Sequence, residues 1–140
     1  MGKSKNRGTP PRPAQGTLTE PETPADYSLG SPKFCLHHAD PDFDVDALDA
    51  KGAAAFARTL QRLARMSWRD LILAPRHGIG SELIPAASFK PAIPQRFKDQ
   101  KKFMVFRYDG LLPMAGIRAG DVFHIIWIEP TFGKLYDHGA

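Results

Sequence analysis

The stretch KFMVFRYDGLLPMAGIRAGDVFHIIWIEPTFGKLYDH, Lys102 to His138, decides the fold. Met104, Phe106 and Tyr108 alternate with Val105 and Arg107, which is the period of two of a half-buried strand. Asp109-Gly110 is a turn signal, Ala115 to Arg118 suits a short returning strand, and Gly120-Asp121 gives another tight turn before Val122 to Ile128. That last run is the most β-prone in the chain. Strict alternation puts Phe123, Ile125 and Trp127 on one face and Val122, His124, Ile126 and Ile128 on the other. Both faces are then apolar, so a central strand covered on two sides is expected. The reading is a three-stranded antiparallel meander, closed by Pro130 and a polar end, Lys134-Leu135-Tyr136-Asp137-His138.

Three strands alone are marginal in water and need a layer over their apolar face. Ala50 to Met66, rich in Ala, Leu, Arg and Gln and free of proline, supplies a helix. Phe56, Leu60 and Leu63 fall on one stripe of it; Arg58, Arg62 and Arg65 fall about half a turn away, facing water or an anion. Asp49 is available near the start of this helix. Ser67-Trp68-Arg69-Asp70 has the form of a capping box, so a second short helix starts at Trp68 and ends before Pro75, adding Trp68, Leu71 and Ile72 to the core. Phe34 to His38 reads as a short first strand with Cys35 and His37 on one face. Its Cys-x-His pair lacks the three or four ligands and the paired-cysteine spacing of a zinc site, so no metal is expected. Asp40, Asp42, Asp44 and Asp46 resemble the start of a calcium loop, yet neither register supplies the required Gly and Glu; an acidic turn into the helix is the expectation. Residues 75–100 read as one long irregular connection, with Gly78, Gly80, Pro85, Pro91 and Pro94 after Pro75. Arg76-His77-Gly78-Ile79-Gly80-Ser81 lacks both nucleotide-binding fingerprints and reads as a structural turn. Lys90, Arg96, Lys98, Lys101 and Lys102, with Phe89 and Phe97 among them, suit a surface for single-stranded nucleic acid.

Residues 1–31, with prolines at 10, 11, 13, 21 and 24, have the composition of a disordered tail, and Pro10-Pro11-Arg12-Pro13 is also readable as a polyproline ligand. Residues 32–140 are expected to form the domain. Charge is uneven: residues 32–51 carry −3, whereas 52–140 carry +6 from thirteen basic and seven acidic residues, so the folded part is the basic part. No apolar run approaches the ~20 residues of a spanning helix, and the amino terminus lacks the apolar centre of a signal peptide. A single cysteine, Cys35, excludes an internal disulfide and agrees with a cytoplasmic location.

The order strand, helix, helix, then three antiparallel strands, with basic residues and a Tyr-x-His near the end, resembles the RelE/ParE superfamily of small bacterial toxins over about Phe34 to His138. The blocks HGIGSE, FRYDG, PMAGIR and FHIIWIEPTFGKLYDHG are also similar to a group of small uncharacterised bacterial proteins, which names no activity. The resemblance implies an α+β domain with two helices packed on a small antiparallel sheet, and an endoribonuclease that cleaves messenger RNA on the ribosome without metal or cofactor. It further implies neutralisation by a cognate antitoxin protein. On this likeness Arg107 and Arg118 stand for the arginines that hold the scissile phosphate, and Tyr136 and His138 for the terminal acid/base group, with His124 as a further candidate. Arg58, Arg62, Arg65, Lys98, Lys101 and Lys102 are the expected RNA-binding residues. Two alternatives stay open: a non-catalytic nucleic-acid-binding or adaptor module, and a ParE-like inhibitor of DNA topology enzymes. Geometry separates catalysis from binding, because catalysis requires the arginines and the terminal Tyr or His to share one cleft.

Overall fold

The meander forms as its alternation demands, but with longer strands and two more partners. The computed structural model describes residues 26–75 and 79–138. The stretch 1–25, with Pro10-Pro11-Arg12-Pro13, and Arg76, His77 and Gly78 of the glycine-bearing turn lie outside the described residues. In chain order the elements are β1 (Lys33–Cys35), α1 (Ala50–Ala64), α2 (Trp68–Leu73), β2 (Ser81–Pro85), β3 (Lys102–Asp109), β4 (Leu112–Ala119) and β5 (Val122–Ile128). They make an α+β fold around one mixed sheet of order β1-β5-β4-β3-β2.

Several expectations are corrected here. The sheet is not purely antiparallel, because β1 runs parallel to β5, with Lys33 opposite Val122 and Cys35 opposite His124. It has five strands, because the connection after α2 contains β2, antiparallel to β3 with Glu82 opposite Val105. Five residues ending in proline give a weak strand signal, yet Pro85 sits at the last position, where its missing N–H costs the ladder little. The first strand stops at Cys35, and His37 and His38 lie in the turn that follows. Residues 26–31, grouped above with the tail, are already fastened to the domain: Trp68 N donates to Gly30 O and Arg69 N to Ser28 O.

Helix starts follow local chemistry. The Asp49 carboxylate accepts from Gly52 N at 2.7 Å, and the Ser67 hydroxyl accepts from Asp70 N at 3.1 Å, each satisfying a backbone donor that the helix itself leaves unpaired. Asp40 and Asp44 cap two short 3₁₀ turns in the same way, which accounts for the acidic run without calcium. α1 and α2 cover one sheet face, where Phe56, Leu63, Trp68 and Leu71 meet Phe106, Tyr108, Met114, Phe123, Ile125 and Ile128. Thr59 Oγ1, buried in this layer, donates to Tyr108 O at 2.9 Å and ties α1 to β3. Ile72, expected in the core, is 49% exposed: Trp68 and Leu71, three apart, take the buried stripe of α2, and Ile72 lies a step round the helix from it.

The second sheet face is covered by irregular chain. Phe89, Ile93 and Phe97 from the β2–β3 connection and Leu135 and Tyr136 from the carboxy-terminal segment pack on Phe103, Val105, Ala115, Ile126 and Trp127. Here the strict alternation of β5 fails. Gly116 pairs with Ile125 while Ala115 pairs with Trp127, so Ile126 is an extra residue, a β-bulge. Beyond it every side chain changes face: Trp127 joins Ile126 on the second face, and Ile128 joins Phe123 and Ile125 under the helices. The bulge depends on Gly116, because a Cβ at that position would overlap the His124 carbonyl oxygen.

Backbone cannot move aside as a side-chain tip can, so Gly116→Ala is expected to destabilise the domain by ~2 kcal/mol or more. The midpoint of urea unfolding, compared with Gly30→Ala as a control where a Cβ would meet nothing closer than 3.5 Å, measures this.

Candidate active site

After β5 the chain folds back across the second sheet face, and a buried carboxylate fixes its course. Glu129 is fully buried. Its Oε2 accepts from Leu135 N at 2.7 Å, and its Oε1 lies 2.8 Å from His138 Nε2. A carboxylate out of water is tolerated only with such partners, so the Glu129 side chain and the segment that satisfies it fold as a unit. The Tyr108 hydroxyl donates to the Glu129 carbonyl oxygen from the other side of the sheet. Lys90 adds a clamp: its N–H donates to Leu135 O at 2.7 Å, and its ammonium contacts Gly133 O at 2.7 Å and Asp137 Oδ1 at 2.9 Å.

The result places His138 in an aromatic stack. Its ring lies 3.9 Å from that of Phe132 at an interplanar angle of 24°, and 4.6 Å from that of Tyr136 at 30°. Tyr136 in turn meets Phe89 edge-on at 5.5 Å, and Phe89 stacks on Trp127 at 4.9 Å. With Nε2 engaged by Glu129, the other ring nitrogen of His138, Nδ1, is the one left to exchange a proton with a substrate.

Beside this stack is a cleft of about 400 Å³, lined in part by Gly80, Glu82, Ser88, Arg107, Tyr136 and His138. β2 and β3 set its floor. Glu82 lies opposite Val105, so Glu82 and Arg107 project from the same face of adjacent strands, one side-chain step apart. Burial pushes the Tyr136 phenol up to about 12, assisted by the negative charges of Glu82 and Glu129 and opposed by Arg107. At neutral pH Tyr136 is therefore a hydrogen-bond donor. The cleft thus joins a permanent cation, a neutral O–H donor, an oriented imidazole and a carboxylate, groups of the kind that acid–base chemistry on an anion uses.

The structure brings together three of the five expected catalytic residues, Arg107, Tyr136 and His138, and separates the other two. Arg118 is on the opposite sheet face, its guanidinium 4.2 Å above the Trp68 ring and its Nε donating to Gly120 O at 2.8 Å. The cause is register. Arg107 pairs with Pro113, whereas Arg118 pairs with Phe123, whose side chain lies under the helices. The expected pair of phosphate-holding arginines is not formed. His124 lies in a separate group of imidazoles: its ring is 6.0 Å from that of His38, which is 4.7 Å from His37 and 5.3 Å from Phe97. Its Nδ1 is buried without a hydrogen-bond partner among the described residues.

Of the expected RNA-binding residues, Arg58, Arg62 and Arg65 are exposed on α1, in the layer across the sheet from the cleft. Lys98 and Lys101 are exposed on the connection that covers the cleft's side of the sheet, whereas Lys102, next to Phe103 on β3, projects to the face of Met104 and Phe106; none of the three lines the cleft. Glu82 and Glu129 were missed from the sequence. Glu129 had a readable signal, a lone acid directly after an apolar strand; Glu82 had none without β2.

Among the described residues no group of three or more His, Cys, Asp or Glu is arranged to hold a metal ion, and no helix is long and apolar enough to cross a membrane. No protein-family model, curated protein or solved structure matches the chain.

Two titrations test these environments. The Tyr136 phenolate band, isolated as the difference from Tyr136→Phe, is expected to appear well above the ordinary value of 10. Because the folded chain holds this proton more tightly, the associated stability is complete below pH 10 and is lost as pH rises toward about 12. For His38, partial burial first, then Arg96, His37 and His124, hold the imidazole below its ordinary 6.5. The unfolded chain then binds the proton more readily, so stability is complete above 6.5 and falls as pH drops below it. Ring-proton NMR should give a His38 midpoint below that of a free imidazole.

Proposed function

We propose that this chain is a RelE/ParE-like toxin that cleaves RNA at the cleft of Arg107, Tyr136 and His138. The observation that carries the reading is the meeting of those three side chains in one cleft, with His138 oriented by a carboxylate that is itself fully buried. In the proposed reaction Glu82 takes the proton of a ribose 2′-hydroxyl and the freed oxygen attacks the adjacent phosphorus. The bond from phosphorus to the 5′-oxygen breaks, and His138 gives that oxygen a proton from Nδ1. Arg107 and the Tyr136 O–H stabilise the charge that builds on the phosphorane, each being aimed before the reaction begins. The products are a 2′,3′-cyclic phosphate and a 5′-hydroxyl end. A cognate antitoxin neutralises the activity by covering the same opening. Messenger RNA on the ribosome is the substrate this reading implies.

A second reading has its own support. Arg118 is committed to Trp68 on the other face, which leaves Arg107 as the one arginine among the described residues in the cleft and favours a non-catalytic nucleic-acid-binding module with this fold.

Induced expression in a bacterial host, with mapping of new RNA 5′ ends and of growth, separates the two. His138→Ala and Arg107→Ala are each expected to reduce cleavage by about 10²-fold or more, while Arg118→Ala cuts as the unmodified chain does. The nuclease reading is lost if the unmodified chain produces no new ends, or if His138→Ala leaves them unchanged. Growth arrest with intact RNA would instead direct attention to DNA topology.

A further inference from the structure

We propose that Phe132 is a nucleobase-binding subsite: its solvent-facing ring continues the stack of Tyr136 and His138 outward and takes one unpaired base of the bound strand. This rests on the assignment of the cleft to RNA and adds to it the part that recognises a base. Phe132 is 53% exposed on the polar turn between Glu129 and Lys134. Exposed apolar side chains are common and normally need no explanation. Phe132 differs from the exposed Leu73, Leu83 and Leu111 in being a flat ring laid nearly parallel on a cleft-lining residue, 3.9 Å from His138 at 24°.

The stack has an anchored end and an open end. Inward, His138 rests on Tyr136 at 4.6 Å, and Tyr136 touches Phe89, which is stacked on the fully buried Trp127. The Glu129 carboxylate and the Lys90 clamp hold the connecting backbone. The platform is therefore ordered before any ligand arrives, and its last ring presents a π-face to water. Aromatic rings at a phosphate-binding groove take bases in this way because every base has a π-face. Only an unpaired base has that face free, so the strand at this point is single-stranded. Phe132 has no hydrogen-bonding group, so it distinguishes bases by ring area and favours purines over pyrimidines. Because it touches His138 directly, its base belongs to a nucleotide flanking the scissile phosphate.

The competing role is a lid: Phe132 would merely shield the His138–Glu129 pair. Phe132→Leu keeps apolar cover and loses the π-face, whereas Phe132→Trp keeps both. The test uses the full chain and a short single-stranded RNA made uncleavable by a 2′-deoxy substitution at the cut, with 2-aminopurine beside it. Fluorescence anisotropy gives affinity, and quenching of 2-aminopurine reports stacking. Phe132→Leu is expected to weaken binding about 5- to 150-fold and to abolish quenching, while Phe132→Trp retains both. On cleavable RNA, Phe132→Leu should raise KM and leave kcat nearly unchanged. Undiminished affinity and quenching in Phe132→Leu would overturn the subsite and leave the nuclease reading standing. Phe132-dependent quenching without new RNA ends on expression in the cell would support the subsite and remove the nuclease reading. If the unmodified chain neither binds nor quenches, the subsite fails, and the mapping of RNA ends in the cell decides the nuclease reading.

Discussion

One inserted residue in β5 controls most of what makes this sheet more than a meander. Opposite Gly116, where no Cβ blocks the approach of the His124 carbonyl, Ile126 is accommodated as a bulge. The period of two is reset by one, and Trp127 and Glu129 turn to the face opposite the helices. Without that reset Glu129 would point into the helical layer, where none of the present partners of its carboxylate would reach it. With it, a fully buried carboxylate confronts the returning chain and is satisfied only when Leu135 and His138 come to it.

That demand explains how an irregular, polar-looking segment is ordered. Leaving a buried charge unpaired costs more than most single contacts contribute, so the two hydrogen bonds to Glu129 fix the path of residues 129–138 without any regular secondary structure. The same segment caps the second core, with Leu135 fully buried and Tyr136 nearly so. Packing, polar satisfaction and the candidate site are thus one arrangement. The ring that lines the cleft, His138, is held by the carboxylate that holds the fold.

The two sheet faces divide the labour. Under α1 and α2 the packing is aliphatic and aromatic with few polar contacts, and Arg118 serves it by lying over Trp68. On the other face, loop segments leave an opening between β2 and the carboxy-terminal segment, and that is where titratable groups collect. Such separation is expected of a small domain: a regular layer supplies stability, while irregular chain on the other side can carry chemistry because it is free to aim side chains. The arginines of α1 therefore lie across the sheet from Arg107 in the cleft, although in sequence both look like parts of one basic protein.

Local signals determined a good deal. Alternation in β3, turn chemistry at Asp109-Gly110 and Gly120-Asp121, and the Asp49 and Ser67 caps were legible because each depends on residues a few positions apart. Met104, Phe106 and Tyr108 share a face for that reason, as expected. Arg107, Tyr136 and His138 were also legible as chemistry-bearing residues, and the segments that carry them line the cleft. What the chain in isolation left open were the relations between distant segments: the parallel pairing of β1 with β5, the recruitment of Ser81–Pro85 as an edge strand, and the face on which Arg118, Trp127 and Glu129 end. Those depend on register, which a single bulge shifts by one residue. Only the tertiary structure, in which the Gly116 backbone lies against His124 and a buried carboxylate requires its partners, decided that Arg107 shares a cleft with His138 and that Arg118 does not.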